Sequence, residues 1–600
     1  MIVVKSKKDC CGCNACGDVC PKGAISFSAD EEGFLYPAID KSKCVNCGLC
    51  DRVCPQLRAI DLRGNEFSVP DAYAVMHKNL GVVFDSTSGG AFTACANQVY
   101  ARKGFVGGAL KGDDGEIHQY LSDNRGDLPK LRRSKYKQSD SRGFYKSVKK
   151  AVETERPVLV CGAPCQMVAL RAYLGREYDN LYIMDFVCRG ANSPLASRKY
   201  GEWREQQIGS RLVSSVAKNK ELGWNMLTSK EIYADGTIKY LTKHDNLFTH
   251  CYLATNAFCR PSCYECKFKG VPLFSDVTVA DCWCMDDVLK GMLRQNLGVT
   301  LMLLNNSKGR QLFDLAKSSM HIQAVDFERA RKGNLIIDQS LPPPKYPREE
   351  VFRLLNSEGF QGLIDKFIKA DRECVESFKT KVRRLLSRYR QLCKIHHYNP
   401  FKLLRLVRDN GFCAVVSGAP LIMHNRPVVM QIEGTLELGG DFGIGGGILK
   451  RTSFITNLRI DKEARLVTKG EVGIAYGGDV EVINDGALEI GANFGANQNL
   501  MLVCESKITI GDWVKCGRNV TIRDSNGGHW MNIPGYKAKK SITIGDHVWL
   551  CEGCTIMSGV KIGAGSVIGA KAVVFNDVPP NSLVLGNPAK VVLDNVQWKY

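Results

Sequence analysis

The sequence of 600 residues contains no apolar run near the roughly 20 residues that a helix needs to cross a bilayer. It also lacks the pattern of a secretory signal peptide, because the opening MIVVKSKKD leads directly into closely spaced cysteines. The hydrophobic content of 44% is ample for packed cores, and the length predicts about three or four domains. We therefore expect a multidomain cytoplasmic protein with reduced thiols.

Acidic residues are missing from one long segment, and the whole chain carries a formal net charge of +19. Between Lys379 and Arg408 there are ten Lys or Arg residues and no acid, with apolar residues at helical spacing. Such a basic amphipathic helix can lie on the inner face of an anionic membrane as a peripheral contact. The alternative is a solvated linker helix packed on a neighbouring domain. No base-reading motif accompanies the charge, so we expect no nucleic-acid partner.

One cysteine pattern occurs twice near the amino terminus. The two runs are Cys10-x2-Cys13-x2-Cys16-x3-Cys20-Pro21 and Cys44-x2-Cys47-x2-Cys50-x3-Cys54-Pro55. This spacing is typical of two-cluster ferredoxins, in which the cysteine before each proline binds the other 4Fe-4S cluster. We assign the first cluster site to Cys10, Cys13, Cys16 and Cys54, and the second cluster site to Cys20, Cys44, Cys47 and Cys50. Cys11 is spare, and zinc or disulfides are the alternatives.

The pattern along the chain predicts four segments. Residues 1–62 form a small α+β ferredoxin-like domain, and residues 70–345 alternate strands and helices, which predicts an α/β domain. A basic helical connector covers residues 346–420, after the proline run at 342–344. Residues 421–600 repeat six-residue units such as LEIGAN and ITIGDW, which predict a parallel β-helix. A glycine-rich β-sandwich is the alternative for this last segment.

The α/β segment carries a distinctive series of motifs. They are Ser86-Thr87-Ser88-Gly89-Gly90, Ser134-Lys135-Tyr136, Gly162-Ala163-Pro164-Cys165-Gln166, Arg260-Pro261-Ser262-Cys263-x2-Cys266-Lys267 and Asp281-Cys282-Trp283. In this order they resemble the coenzyme F-420 hydrogenase/dehydrogenase beta-subunit family. The resemblance implies FAD and a third 4Fe-4S cluster. The ligands of this third cluster would be Cys165, Cys188, Cys263 and Cys266, which we call the third cluster site. Cys161 and Cys259 are nearby substitutes.

The same resemblance implies a flavin site near Ser88, Gly89, Gly90 and Lys135, where small residues let a cofactor approach the backbone. Gly89-Gly90 could instead serve only a tight strand-to-helix turn, and Lys135 could be an exposed surface lysine. The chain departs from the family pattern at Arg189, where a histidine is common, and at Cys282. The first departure puts the hydride acceptor in doubt, because a histidine near a flavin can donate a proton.

The last segment resembles the hexapeptide-repeat acyltransferases, in particular the maltose/galactoside and surface-polysaccharide O-acetyltransferase type. The motifs that carry this resemblance are Phe494-Gly495-Ala496-Asn497-Gln498-Asn499, Ile510-Gly511-Asp512, Asp524-Ser525-Asn526-Gly527-Gly528-His529, Ile544-Gly545-Asp546-His547-Val548-Trp549 and Gly586-Asn587-Pro588-Ala589-Lys590-Val591. It implies a left-handed parallel β-helix, a homotrimer with active sites between neighbouring β-helices, acetyl-CoA as co-substrate and a sugar or glycan acceptor.

The resemblance also implies roles for individual residues. His529 would be the base that takes a proton from a sugar hydroxyl, with Asp524 or Asn526 fixing its tautomer. Asn497 would stabilise the oxyanion or orient the acceptor. Trp549 would line the coenzyme channel, and Lys571 and Lys590 would contact the phosphates of coenzyme A. His547 is expected to be structural, and Phe575-Asn576 replaces a common Thr-Lys pair, which weakens a phosphate contact.

Together these patterns predict a bifunctional iron–sulfur flavin oxidoreductase and O-acetyltransferase of surface (capsular or exo-) polysaccharide biosynthesis. Its oxidoreductase half would receive electrons from a donor such as a ferredoxin. One alternative is an electron-transfer protein whose β-helix is only a trimerisation scaffold. Another alternative is a redox-regulated acetyltransferase, in which the clusters sense the redox state and do not catalyse a reaction.

Overall fold

The computed structural model divides the chain into two compact units. Unit 1 comprises Met1–Glu231 and Leu241–Ile368, and unit 2 comprises Ile232–Tyr240 and Lys369–Tyr600. The structure describes residues 2–62, 65–243, 245–283, 285, 289–293, 296–370, 408, 410, 419–424, 428–447, 454–527, 529, 531 and 535–599.

The ferredoxin-like segment begins unit 1 and has short elements between its cysteines. These are α1 (Ala15–Val19), β1 (Ile25–Ala29), β2 (Leu35–Ile39), α2 (Leu49–Arg52) and α3 (Pro55–Arg58). Strands β1 and β2 form an antiparallel hairpin. Proline at the first position of α3 suits a helix start, because that position has no intrahelical N–H bond to lose. Each helix therefore starts or ends beside a predicted cluster cysteine.

The body of unit 1 is a mixed sheet of nine strands with helices around it, in the order β14-β3-β13-β12-β8-β7-β4-β5-β6. Strands β9, β10 and β11 form a second, three-stranded sheet. The strands are β3 (Asp71–His77), β4 (Phe105–Lys111), β5 (Ile117–Ser122), β6 (Ser139–Asp140), β7 (Val158–Gly162), β8 (Leu181–Phe186), β9 (Leu212–Asn219), β10 (Thr228–Tyr233), β11 (Ile238–Leu241), β12 (Val277–Asp281), β13 (Thr300–Leu304) and β14 (Met320–Ala324).

The helices of this body connect the strands and cover the sheet. They are α4 (Leu80–Phe84), α5 (Ala91–Ala101), α6 (Leu128–Leu131), α7 (Phe144–Val152), α8 (Pro164–Leu174), α9 (Pro194–Ile208), α10 (Leu247–Leu253), α11 (Lys290–Leu293), α12 (Ser307–Ala316), α13 (Phe327–Gly333), α14 (Arg348–Ser357) and α15 (Gly359–Leu363). Central strands are apolar on both faces, as β13 shows with five buried residues, because helices cover both sides of the sheet. The predicted α/β architecture is confirmed.

The start of the predicted connector is instead part of unit 1. Helices α14 and α15 bury Val351, Phe352, Leu355 and Phe360 in a core that also contains Phe34 of the ferredoxin-like segment. The apolar residues of α14 lie three and four apart, which gives one face that must be covered. The strongly basic stretch 379–408 lies outside the described residues except for Arg408. Among the described residues, no helix is both long and apolar enough to cross a membrane.

Unit 2 contains a three-sided parallel β-helix. Its strands are β15 (Ile422–His424), β16 (Val428–Ile432), β17 (Thr435–Leu438), β18 (Phe442–Gly446), β19 (Thr456–Ile460), β20 (Arg465–Thr468), β21 (Val472–Ala475), β22 (Asp479–Val482), β23 (Ala487–Ile490), β24 (Phe494–Ala496), β25 (Met501–Cys504), β26 (Lys507–Ile510), β27 (Lys515–Cys516), β28 (Thr521–Arg523), β29 (Ile542–Ile544), β30 (Trp549–Leu550), β31 (Thr555–Ile556), β32 (Lys561–Ile562), β33 (Val567–Ile568), β34 (Val573–Val574), β35 (Leu583–Gly586) and β36 (Ala589–Leu593).

Each strand of the regular coils pairs with the strand three positions later, so three sheets form the three sides. The aliphatic residue before the repeat glycine points inward: Ile490, Ile510, Ile544 and Ile562 are all buried. These isoleucines are in register from one coil to the next. The stack excludes water from the centre of the coil, which is the main source of its stability. The predicted left-handed parallel β-helix is therefore confirmed, and the β-sandwich alternative is wrong.

A matched pair of substitutions tests the contribution of this stack. Leu502 on β25 is fully buried, whereas its neighbour Met501 is 42% exposed. We expect Leu502→Ala to lower the free energy of unfolding by about 2–5 kcal/mol through the lost contacts and the cavity left behind. Met501→Ala should change it by about 0.5 kcal/mol or less. Urea denaturation measures both, and equal effects would contradict an inward-facing Leu502.

Candidate functional site

The four cysteines of the first cluster site lie together in unit 1. Cys16 lies near Cys10, Cys13 and Cys54, although Cys54 is 44 positions from Cys10 in the sequence. Burial raises the pKa of Cys54 to about 11 and also raises the pKa of Cys10 and Cys16. Thiols crowded in this way become thiolates when a cation binds them.

The second cluster site surrounds a small cavity. All four predicted cysteines line this cavity: Cys20, Cys44, Cys47 and Cys50. The backbone N–H of Ala24 donates to Cys20 Sγ and that of Ile2 donates to Cys50 Sγ, both at 3.3 Å. Amide donors of this kind tune the potential of a bound cluster. Cys47 is exposed, so this site faces the solvent.

The third cluster site is assembled from three separate parts of the chain. Cys165 lies in the first turn of α8, Cys188 follows β8, and Cys263 and Cys266 lie beyond α10. Cys188 and Cys266 are charged neighbours of both Cys165 and Cys263. Burial raises the pKa of Cys263 to about 12. The structure thus brings the four predicted ligands together, and their role stays a prediction.

The two substitute ligands differ in position. Cys259 lies beside Cys263 and Cys188, so it borders the third cluster site. Cys161 lies instead between Asp185 and Lys135, and burial raises its pKa to about 12. Cys161 is therefore on the side of the predicted flavin site.

The arrangement of the cysteines bears on the zinc and disulfide alternatives. These cysteines are free thiols. Among the described residues, no group of three or more His, Cys, Asp or Glu side chains is placed to hold a single metal ion. A zinc site needs four ligands around one ion, whereas each ligand of a cubane cluster binds a different iron.

The turn that carries Ser88, Gly89 and Gly90 lies against strands β3 and β13. The Ser88 hydroxyl shares a hydrogen bond with Thr300 Oγ1 at 2.9 Å, and Gly89 N donates to the same oxygen at 2.8 Å. A Cβ on Gly89 would lie 2.2 Å from the carbonyl oxygen of Val75. Gly90 has a positive φ of 86° at the start of α5. The glycines are thus needed for this close turn, whether or not a cofactor contacts it.

Lys135 is a partly buried residue, not an exposed surface lysine. Its ammonium donates to the carbonyl oxygens of Arg132 and Lys130 at 2.6 and 3.0 Å. Burial lowers its pKa to about 8, and Cys161 lies near its ammonium. The Lys135 loop is bound to the glycine turn, because Ser134 N donates to Thr87 Oγ1 at 2.8 Å. The two predicted parts of the flavin site therefore lie side by side.

Two further lysines belong to this region and were missed in the sequence. Lys220 is 1% exposed, and its ammonium donates to the carbonyl oxygens of Val83 and Ser88, both at 2.6 Å. Lys218 forms an ion pair with Asp281 and lies 5.6 Å from the centre of the Trp283 ring. Their spacing of two residues at the end of β9 was the available signal, since such residues share one face of a strand.

The departure at Arg189 has a structural explanation. Its guanidinium donates to the carbonyl oxygen of Leu253 at 2.7 Å and to Asn256 Oδ1 at 2.8 Å. These bonds tie the segment after β8 to the end of α10. Arg189 therefore stabilises the contact between these two segments.

The β-helix has a pocket of about 320 Å³ beside the loop between β28 and β29. Its wall includes His529, Asn526, Tyr536 and Arg523. Asn526 bonds the Tyr536 hydroxyl, and this hydroxyl donates to the backbone carbonyl of His529 at 3.3 Å. This bond links Tyr536 to the backbone at His529, and His529 lies at the wall of an open pocket.

Asp524 does not have the role that the sequence predicted. The residue is fully buried, and its two carboxylate oxygens accept the backbone N–H groups of Glu505 and Ser506, both at 2.8 Å. A carboxylate bound in this way stabilises the turn of the preceding coil. The prediction that Asp524 orients His529 is corrected on this ground. The predicted role of Asn526 stays a prediction, because its partner Tyr536 contacts the backbone of His529 and not its imidazole.

The other predicted acetyltransferase residues lie on the surface of unit 2. Asn497 directly follows β24 and is exposed, and Trp549 on β30 is 40% exposed. Lys571 and Lys590 are also exposed. His547 is buried and stacks on Trp598 with ring centres 4.1 Å apart, as expected for a structural residue.

Three family models match successive segments of the chain. A 4Fe-4S dicluster domain matches residues 9–57. The C terminus of the coenzyme F420 hydrogenase/dehydrogenase beta subunit matches residues 155–330. The bacterial transferase hexapeptide (six repeats) matches residues 541–576. The chain therefore joins an iron–sulfur segment of an oxidoreductase family to a segment of hexapeptide acyltransferase type, and the predicted resemblances are confirmed.

The curated relatives include acetyltransferases. A galactoside O-acetyltransferase of Escherichia coli K12 is 40% identical over 107 residues, which are 18% of this chain and 53% of that protein. A putative acetyltransferase of Saccharomyces cerevisiae is 42% identical over 107 residues, 17% of this chain and 54% of that protein. The chain thus spans about half the length of these relatives.

Solved structures resemble separate parts of the chain. A chain of the F420-reducing [NiFe] hydrogenase complex of Methanosarcina barkeri has 16% identity and a TM-score of 0.32, covering 50% of this chain and 96% of that chain. A maltose O-acetyltransferase of Clostridium difficile 630 has 32% identity and a TM-score of 0.17, covering 22% of this chain and 65% of that chain.

The buried Lys220 predicts a pH effect on stability. Burial lowers its pKa in the folded protein to about 7, whereas an unfolded lysine titrates near 10.4. Between these values the unfolded state binds more protons, so this group makes the folded state more stable as the pH rises. Its contribution is at most about 1.4 kcal/mol per pH unit.

We therefore expect Lys220→Met to reduce the slope of stability against pH above pH ~7, the folded-state value. Anaerobic urea denaturation between about pH 7 and 9.5 measures this slope. Lys146→Met, at an exposed position of α7, is the matched control and should keep the wild-type slope. Parallel curves for wild type and Lys220→Met would contradict a titrating Lys220.

Proposed function

We propose that the protein is a bifunctional enzyme: an iron–sulfur flavin oxidoreductase joined to an acetyl-CoA-dependent O-acetyltransferase. The observation that carries the first half is the convergence of three groups of four cysteines within unit 1. The second half rests on an open pocket beside His529 in a β-helix of acyltransferase type.

The order of the cluster sites supports a path for single electrons. The second cluster site includes the exposed Cys47, whereas Cys13, Cys16 and Cys54 of the first cluster site are buried. An external one-electron donor such as a ferredoxin would therefore meet the second cluster first. The first cluster lies between it and the body of unit 1, because α1 packs against α7 and α8.

FAD is the proposed end of this path, and it would convert single electrons into two-electron chemistry. The residues around the Ser86–Gly90 turn suit a cofactor that carries phosphates. Lys135 and Arg133 approach this turn from one loop, and Arg133 pairs with Asp85 at 3.0 Å. On the buried side of this turn, Lys220 donates hydrogen bonds to the carbonyl oxygens of Val83 and Ser88. Ser88, Gly89 and Gly90 would then lie beside the flavin.

For acetyl transfer, His529 is the proposed base that takes the proton of a sugar hydroxyl as this attacks the thioester of acetyl-CoA. Asn497 would support the developing oxyanion, and Trp549, Lys571 and Lys590 would contact the coenzyme. All of these residues, His529 included, are exposed in one chain. A homotrimer, in which neighbouring β-helices cover such surfaces, is therefore part of the proposal.

The acceptor class rests on the relatives, among which are galactoside O-acetyltransferases. We propose a glycan precursor of a surface polysaccharide, acetylated in the cytoplasm at or near the inner face of the membrane. The oxidoreductase half would act on a substrate of the same polysaccharide biosynthesis.

The metal content is the first test. Anaerobically purified protein should contain about twelve irons per chain if three cubane clusters are present, with one FAD. Cys263→Ser should lose about four irons and keep the two ferredoxin clusters. Cys251→Ser, at a buried cysteine outside the cluster sites, is the control. About eight irons and no flavin in the wild type would limit the redox chemistry to the ferredoxin-like segment.

The acetyltransferase half is tested by His529→Ala. We expect acetyl transfer from acetyl-CoA to a galactoside acceptor to fall about 10²–10⁴-fold, the usual contribution of a general base. Trimer formation, measured by light scattering, should be unchanged because His529 lies at a pocket and not in the buried stack. Activity that is absent from the wild type, with an intact trimer, would favour a β-helix that serves only as a scaffold.

A further inference from the structure

The pocket beside His529 carries a positive charge that the proposed acetyl transfer does not use. Among the described residues that line this pocket, Arg523 has the only permanent charge, and none is an aspartate or a glutamate. Arg523 is the half-buried last residue of β28, where the chain leaves the coil. Ile522 pairs with Ile556 of the next coil, so Arg523 lies beside Met557 in the same wall. The guanidinium is therefore part of the wall that an acceptor would meet.

One hydrogen bond orients this guanidinium and leaves its other nitrogen atoms for a ligand. Arg523 Nε donates to the carbonyl oxygen of Ser525 at 3.0 Å. The backbone there is held in turn, because Asn526 N donates to the carbonyl oxygen of Ala538 at 3.0 Å. Gly527 lies next to Arg523 Nη2, where a Cβ would be only 3.5 Å away, so no side chain at this position covers the guanidinium.

The charge of Arg523 has no carboxylate partner in the described part of the chain. Arg465 of the same β-helix, in contrast, pairs with Glu437 at 3.0 Å. Asp524 is adjacent to Arg523 in the sequence, but it is fully buried and its oxygens accept two backbone N–H groups. An arginine of this kind, held in a pocket wall without a counter-ion, is suited to bind an anionic group that enters the pocket.

We propose that Arg523 selects an acceptor sugar that carries an anionic substituent, a carboxylate or a phosphate, in the pocket beside His529. This inference rests on the acetyl transfer of the proposed function. The guanidinium is planar and always charged, so its two terminal nitrogen atoms match two oxygens of such a group. The pocket volume of about 320 Å³ is within the usual range for small-molecule sites. Arg523 thus binds and orients the acceptor, and it takes no part in the proton transfer.

Three acceptors that differ at one carbon test this selection. They are nitrophenyl galactoside, which is neutral, its phosphate ester at the exocyclic carbon, and nitrophenyl galacturonide, which has a carboxylate at that carbon. Chromatography of the acetylated product gives kcat/KM for each acceptor with the full chain. We expect the wild type to prefer an anionic acceptor over the neutral one by about 10–100-fold, the usual contribution of charge-assisted hydrogen bonds. The preferred anion distinguishes a carboxylate acceptor from a phosphorylated one.

Two substitutions separate the charge of Arg523 from its shape. Arg523→Gln removes the charge, so the anionic-to-neutral ratio of kcat/KM should fall close to unity, mainly through a higher KM for the anionic acceptor. Arg523→Lys keeps the charge without the planar fork and should keep part of the preference. Arg465→Gln, at an arginine outside the pocket, is the matched control and should keep the wild-type ratio.

Calorimetric titration with the same three compounds, without acetyl-CoA, gives a readout that needs no turnover. The anionic compounds should bind the wild type more tightly than the neutral one, and Arg523→Gln should remove that difference. Equal binding of all three by the wild type would overturn the proposal, as would an anion preference that survives in Arg523→Gln. A higher KM for acetyl-CoA in Arg523→Gln, with the acceptor ratio intact, would also overturn it, because Arg523 would then contact the coenzyme.

The failure of the proposed function has a different signature. Anion binding that depends on Arg523, without acetyl transfer to any acceptor, would support the anionic site and count against acetyl transfer. Acetyl transfer without a preference for the anionic acceptors would support the proposed function and overturn the role of Arg523. The two failures are therefore distinguishable.

Discussion

The buried guanidinium of Arg260 is the interaction on which the arrangement of unit 1 depends. It donates to the carbonyl oxygens of Cys10 and Leu35 and to Gln138, at 2.7–3.0 Å, and lies 4.1 Å from the centre of the Tyr36 ring. A buried charge is strongly unfavourable unless its donors are satisfied. Because most of these partners belong to the ferredoxin-like segment, that segment has to dock on the α/β body for Arg260 to be accommodated.

Other contacts make this docking rigid. Glu32 pairs with Arg348 at 2.6 Å, and the Asp18 carboxylate accepts the backbone N–H groups of Gly143 and Tyr145 at the start of α7. Each pair joins residues more than 100 positions apart. The ferredoxin-like segment is therefore a fixed layer of unit 1, and the distances between its clusters and the third cluster site do not depend on a flexible tether.

In unit 2, the aliphatic residues that stabilise the coils are mostly different from the residues that line the pocket. The stacked aliphatic residues make the coils rigid without any help from the pocket residues. His529 lies between β28 and β29, where its backbone carbonyl accepts a hydrogen bond from Tyr536, which in turn contacts Asn526. Asp524 precedes the same loop but faces inward, where backbone amides occupy both of its oxygens. The side chain of His529 therefore lines the pocket, whereas that of Asp524 does not.

The sequence by itself determined the features that depend on local spacing. The doubled cysteine run and the hexapeptide units could be interpreted directly, because a cluster binds cysteines of one short loop and a β-helix repeats one turn. Tertiary contacts account for the rest: the burial of Lys220 beside Ser88, the Asp524 carboxylate bound by backbone amides, and the packing of α14. Their partners are distant in the sequence, and no local pattern records which distant groups satisfy a buried charge or thiol.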